Sequence, residues 1–213
     1  TDNSKPIFVI TIGRQFGSGG REIGRLVAQK LQIDYYDKEL LTEAAKSTGM
    51  NSDFFEAADE RSPSFFSSLM SFNTGFYGGS FVIGNSPISN DNIYRQQSDV
   101  IEALAERSSC VILGRTADYI LRNHPNAISV FIHADIDTCV ERIMKRDRCK
   151  TVDEARSLAE KRNKLRAEYY NFYTDKRWGE AMSYDLSVDS SKLGVELTAQ
   201  LIVDYVKARL GLK

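Results

Sequence analysis

Apolar positions along the chain follow two alternating rhythms. Residues 7–12, IFVITI, form a short β-branched run of the kind found in a strand buried on both faces. After it, Ile23, Leu26, Val27 and Leu31 recur at three- and four-residue steps, the period of an amphipathic helix. Tyr35-Tyr36-Asp37 ends a short second strand, and 38–46 has helical spacing that stops near Gly49. Residues 93–107 read as helix, 110–113 as strand, a helix passes through Ile120 and Leu121, and 128–132 is the next strand. Residues 138–150 and 151–172 are charged, periodic helices, 184–188 a last strand and 195–210 a closing helix. Strands alternating with helices predict a parallel sheet covered on both faces. Right-handed crossovers bring the turns that follow the strands to one sheet edge, where such folds bind ligands.

Residues 51–92 break this rhythm. Ser, Gly and Asn dominate there, with Phe65, Phe66, Phe76, Tyr77 and Phe81 at no regular spacing. The stretch is expected to be a partly helical insertion that closes over a base or forms a subunit contact.

The chemistry concentrates where the first strand meets the first helix, in Gly13-Arg14-Gln15-Phe16-Gly17-Ser18-Gly19-Gly20. Glycines let a backbone wrap closely and turn its N–H groups inward. The helix that follows adds donors at its N-terminus and a partial positive charge. Gly17, Ser18, Gly19, Gly20, Arg21 and Glu22 are therefore the expected phosphate-binding residues. The pattern departs from the common GxxxxGK[ST]. With Gly19 as the second glycine, Gly20 stands in the lysine's place, and the hydroxyl that would hold magnesium is missing. Arg21 or Arg14 is expected to supply the lost charge, with a reach and shape different from those of lysine.

Composition adds boundaries. The 213 residues are 42% hydrophobic and 27% charged, enough apolar material for a core. Collagen-like, disordered and disulfide-stapled classes are excluded. With 28 basic and 29 acidic residues the net charge is −1, against a broad nucleic-acid or membrane surface. The balance is uneven: residues 141–166 hold ten Lys or Arg and five Asp or Glu, a local +5 against −6 elsewhere. Cys110, Cys139 and Cys149 lack CxxC spacing, which points to free thiols in a cytoplasmic setting and away from zinc. No apolar run approaches the ~20 residues that span a bilayer. His124 and His133 show no metal-ligand spacing.

With these landmarks the chain resembles the cytidylate kinase-like family, within the P-loop nucleoside-monophosphate kinases. The resemblance rests on Gly17-Ser18-Gly19-Gly20-Arg21-Glu22-Ile23-Gly24, on Tyr35-Tyr36-Asp37-Lys38-Glu39 and on Gly114-Arg115. It continues through Arg166 with Tyr169-Tyr170, and Trp178 with Tyr184-Asp185-Leu186. It implies a single three-layer α/β domain of the P-loop NTPase type over 1–213, with an acceptor-binding insertion near 38–98 and a helical lid near 142–168. It also implies that Arg115 grips the acceptor's phosphate. Thr116 replaces the aspartate of the family's Gly-Arg-Asp, and Asp118, two positions on, is the substitute. Leu113 stands where a magnesium-anchoring aspartate is frequent. Glu22, Asp37 and Asp118 remain as carboxylates, and the metal ligands stay unassigned.

The family's Glu-Arg-x-x-Arg-Arg becomes Glu141-Arg142-Ile143-Met144-Lys145-Arg146, and its Asp-x-x-Arg becomes Asn163-Lys164-Leu165-Arg166. By resemblance Arg142, Arg146 and Arg166 act with Arg21 as catalytic cations over the donor phosphates. Arg148, Arg156 and Arg162 suit that role or a solvated face equally. Asp37 follows a strand beside the expected acceptor pocket. Tyr169, Phe172 and Tyr173 share a helical spacing and are expected to pack in the core, with Trp178 as a packing anchor. The expected function is transfer of the ATP γ-phosphate to a small acceptor, cytidylate by analogy, with Mg2+ as companion ion. The absent lysine and magnesium anchors favour a second reading, a nucleotide-binding or sensing protein that kept the fold and lost the chemistry. A kinase of a non-nucleotide small molecule is a third. Neither nucleic acid nor membrane is expected as a partner, and self-association stays open.

Overall fold

The computed structural model describes residues 6–47, 90–147 and 149–212. The aromatic stretch with Phe65, Phe66, Phe76, Tyr77 and Phe81, together with Arg148, lies outside the described residues. Five strands form one sheet: β1 (Val9–Arg14), β2 (Asp34–Tyr36), β3 (Cys110–Leu113), β4 (Ala127–His133) and β5 (Leu186–Asp189). Their order is β2-β3-β1-β4-β5 and every pairing is parallel. β1 is central, with Ile10 opposite Val111 on one side and Ile128 on the other. That position explains its unbroken apolar run. After β1 the chain turns to β2 on one side, and after β3 it crosses to β4 on the other. The reversal opens a crevice at the carboxyl end of β1.

Contacts divide the chain into two units, Thr1–Asp37 with Ile101–Lys213, and Lys38–Val100. The second holds α2 (Lys38–Ser47) and the first part of α3 (Asn90–Arg107), with Leu41 and Gln97 buried. The first holds the sheet, α1 (Gly20–Leu31), α4 (Ala117–Ile120), α5 (Ile136–Asp147), α6 (Val152–Tyr173) and α7 (Ser190–Leu210). On one sheet face Ile10, Ile12, Val111 and Val130 meet Ile23 and Val27 of α1 and Ile202, Val203 and Val206 of α7. On the other, a Cβ at Gly13 would lie 2.9 Å from the Phe131 ring, so glycine lets that ring rest on β1. Phe131 packs with Tyr184 at 4.9 Å and edge-on with Trp178 at 5.2 Å, the packing role expected of the tryptophan.

Several boundaries and one helix phase differ from the sequence reading. β1 runs two residues further, to Arg14, because its pairing with β4 continues through Arg14 and Ile132. α7 begins at Ser190, since Asp189 caps it by accepting from Ser191 N–H at 2.8 Å, and it kinks at Gly194 (φ 69°). On α6 the buried aromatic is Tyr170, while Phe172 is 56% exposed. The faces buried along α6 are set by Ala155 and Ala159 against Val140 and Ile143 of α5, small residues that an apolar pattern underweights.

Candidate phosphate-binding site

β1 delivers the chain into the loop at Arg14. Gln15 N–H donates to Ile132 O at 3.0 Å, and Phe16 N–H donates to Asn163 Oδ1 at 2.7 Å. Gly17 and Gly19 lie in the left-handed region at φ +86° and +79°. At Gly17 a Cβ would also stand 2.8 Å from Cys139 O and 2.9 Å from Cys139 Cβ, so conformation and space both demand glycine there. α1 starts at Gly20, and its first bond runs from Ile23 N–H to Gly19 O at 3.0 Å. The N–H groups of Gly20, Arg21 and Glu22 thus precede the helix's own ladder, the arrangement that receives anions.

The loop is braced from behind. Ser190 Oγ, fully buried, donates to Ser18 O at 2.6 Å and accepts from Arg142 Nη1 at 3.0 Å. Arg142 Nη2 also donates to Ser190 O at 3.1 Å. Ser190→Ala therefore leaves a buried carbonyl and a guanidinium each short of one partner. We expect it to lower stability by about 1–3 kcal/mol, measured as a lower urea midpoint with an unchanged slope.

Cations gather at this loop. Arg142 Nη1 comes within 3.6 Å of where a Gly19 Cβ would be. Three more guanidiniums surround the Phe16 ring, Arg146 at 4.8 Å, Arg166 at 5.5 Å and Arg162 at 5.9 Å from its centroid. Arg166 Nη1 donates to Arg14 O at 3.1 Å, and Arg146 is held bidentately by Asp147. Phe16 also joins the small core between α5 and α6. The +5 segment is thereby fastened to the loop by one aromatic side chain and two hydrogen bonds.

Beside α1, Asp37 accepts from Arg21 Nε at 3.1 Å and from Arg25 Nη2 at 3.3 Å, with its carboxyl 3% exposed. Arg21 and Arg25, one helical turn apart, share this anchor. The Arg21 guanidinium is therefore engaged with Asp37 along the helix flank. Tyr35 packs against Gly24, and burial with the nearby Asp37 charge pushes its phenol up to about 12. Next to the loop, β3 is followed by Gly114, Arg115 and Thr116, all left-handed at φ 76°, 58° and 53°. For Arg and the β-branched Thr this costs roughly 1–2 kcal/mol each. Backbone strain of this kind gathers at functional edges. Thr116 Oγ1 donates to Arg115 O at 2.6 Å, and Thr116 O accepts from Tyr119 and Ile120 N–H, which holds the turn.

A family model described as the cytidylate kinase-like family matches residues 9–192, from β1 into α7. The chain belongs to the cytidylate kinase-like family. The cytidylate kinase of Methanosarcina acetivorans is 24% identical over 208 residues, covering 95% of this chain and 98% of that one. That of Methanosarcina barkeri is 22% identical over 184 residues, covering 86% and 87%. Among solved structures, an uncharacterized protein from Eubacterium ventriosum is 30% identical with a TM-score of 0.70, covering 94% of this chain and 99% of that one. A shikimate kinase from Bacteroides thetaiotaomicron shares the fold at 12% identity and a TM-score of 0.54, covering 95% and 99%. The sheet is that of the P-loop NTPase fold, as the sequence leads one to expect.

Within this cytidylate kinase-like chain several side chains take places that the sequence did not indicate. Ser18 is fully buried and its hydroxyl donates to Gln15 O at 2.9 Å, which turns it onto the loop's own backbone. Leu113 is buried in the core at the end of β3. Among the described residues no three His, Cys, Asp or Glu converge. The glycine cradle itself fits a phosphate. Glu22 is exposed on the first turn of α1. Arg156 pairs with Asp137 at 2.9 Å on the surface. Burial raises the Cys139 thiol, packed behind Gly17, to about 11, which makes it a filler rather than a nucleophile.

Asp118 departs furthest from expectation. It accepts from Tyr170 Oη at 2.6 Å and lines a cavity of about 320 Å³ with Thr11, Ser129, Lys176 and Asp185. No glycine-loop residue lines that cavity. Its carboxylate is turned beneath the sheet because α4 follows a left-handed turn and lies against β1 and β4. Burial raises the Asp118 carboxyl above its usual range. A raised folded-state value contributes stability below the unfolded value of about 3.9, and that contribution fades as pH climbs through the raised value. The stability of wild type relative to Asp118→Asn should therefore fall with rising pH across that window and flatten above it, in urea midpoints taken at each pH.

Phe16, Asn163 and Ser190 were missed as site residues, whereas Arg14 was expected, with Arg21, as a source of the missing charge. Arg14 had one legible signal: counted five back from Gly19, it occupies the place of the first glycine in GxxxxGK[ST]. Arg25 had another, its i+4 spacing from Arg21. Asn163 and Ser190 had none, since their contacts with the loop span 147 and 172 positions of chain.

Proposed function

We propose that this protein is an ATP-dependent kinase of the nucleoside-monophosphate type, with cytidylate as its acceptor. The observation that carries this reading is the gathering of Arg142, Arg146, Arg162 and Arg166 about a glycine loop at a helix N-terminus. In this reading the N–H groups of Gly17 to Glu22 hold the donor's β-phosphate. An acceptor phosphate oxygen attacks the γ-phosphorus in line as the bond to the bridging oxygen breaks, leaving ADP. Such transfer needs little covalent help. Its charge is spread over equatorial oxygens, and positioned cations supply most of the stabilisation. Residues 142–168 act as the lid that excludes water, Arg115 receives the acceptor's phosphate, and the segment near 38–98 is assigned to acceptor binding. Cys110, Cys139 and Cys149 are free thiols, which suits a reducing cytoplasmic placement.

The buried Ser18 hydroxyl and Leu113 favour one competitor, a protein that binds nucleotide without turnover. An ADP-release assay over cytidylate, uridylate, adenylate, guanylate and small hydroxy acids separates the two. We expect ADP release that depends on cytidylate. ATP binding by calorimetry with no acceptor-dependent release would instead establish the competitor.

A further inference from the structure

We infer that Arg14 carries the charge that a lysine carries in the common phosphate loop, and that Arg14 and Gly20 form an exchanged pair. The inference rests on the proposed reading of the loop as a triphosphate site and names a residue of it. Two departures from GxxxxGK[ST] occur together: arginine replaces the first glycine and glycine replaces the lysine. The structure shows why they are coupled. A Cβ at position 20 would lie 2.6 Å from Arg14 Cβ and 2.8 Å from Arg14 Cγ. Both atoms are close to the backbone, so no rotation of the arginine's far end relieves the overlap. A lysine at 20 and an arginine at 14 exclude each other, and the arginine's stem fills the room the lysine's stem would need.

The rest of the side chain runs along the strand ends. Its Nη1 reaches Gly114, where a Cβ would overlap it. Glycine thus clears both ends of its path, at the head of α1 and at the end of β3. That path crosses the carboxyl edge of the sheet, the place where this class of fold binds ligands. The backbone of Arg14 is fixed by strand pairing opposite Ile132 and by Arg166 donating to its carbonyl at 3.1 Å. Arg21, the other candidate, is directed to Asp37. A guanidinium also suits the task chemically, since its planar donors pair phosphate oxygens two at a time.

Calorimetry with ATP and with inorganic tripolyphosphate, alongside thermal melts, tests the inference in wild type, Arg14→Ala, Gly20→Lys and the double variant Arg14→Gly/Gly20→Lys. Arg14→Ala should weaken both ligands by about 10- to 100-fold, the loss of a charge-assisted contact. Its melting temperature should stay close to wild type. Gly20→Lys alone should melt lower and bind neither ligand. The double variant, which restores the common loop, should regain both the melting temperature and binding to within about tenfold of wild type. Arg14→Ala binding within about twofold of wild type, or a double variant no better than Gly20→Lys, overturns the exchange. Wild type that binds neither ligand overturns the triphosphate reading itself, and is told apart by failing before any variant is compared.

Discussion

Gly17→Ala is expected to lower stability by about 2–4 kcal/mol and to abolish measurable ATP binding. Two effects add. The left-handed backbone at φ +86° penalises any Cβ by roughly 1 kcal/mol. The new methyl would also stand 2.8 Å from the Cys139 carbonyl oxygen, a backbone atom in the first turns of α5 that cannot rotate away. Relief requires α5 to shift, and α5 carries Arg142 and Arg146. The loop and two of its cations would therefore move together, which is why binding suffers more than stability alone implies. Gly194→Ala is the control. It has φ +69° and nothing within 4 Å of a built Cβ, so it bears the conformational cost alone. Urea denaturation of both variants should show the Gly17 substitution clearly more destabilising. Equal losses would mean that the packing against Cys139 is irrelevant.

Arg166→Ala is expected to reduce kcat by about 10²–10³-fold, the effect of removing one preorganised group that stabilises developing charge. Arg166 reaches the loop from α6, with its guanidinium over Phe16 and its Nη1 on Arg14 O. The change in KM for ATP should be under about tenfold, because a cation engaged mainly in the transition state leaves ground-state binding largely intact. Arg166→Lys should recover little, since an ammonium cannot reproduce the planar fork. Steady-state rates in the ADP-release assay check this. A variant that lost affinity and kept its kcat would make Arg166 a brace for Arg14 alone.

Much of the fold was legible because its signals are local. The unbroken 7–12 run, the glycine turn and the spacing of Ile23 and Val27 specify strand, loop and helix within one stretch of chain. The family followed from the same residues. The phase of α6 was not legible, because two of its three buried positions are alanines and its aromatics offer two overlapping stripes. Residue types at the site were legible, and their partners were not. Asp37 follows β2 and is held by Arg21 and Arg25, and Asp118 faces Tyr170 and a cavity apart from the loop. Such outcomes depend on side-chain direction across elements far apart in sequence. The near-neutral total charge likewise hid a cationic pair of helices, and only the fold shows that Phe16 gathers three of their arginines at the loop.

The proposed phosphoryl transfer is checked by incubating the protein with γ-labelled ATP and cytidylate and identifying the labelled product. We predict label in cytidine diphosphate, formed only when both substrates are present. Label that remains in ATP, or that appears only as inorganic phosphate, would contradict it.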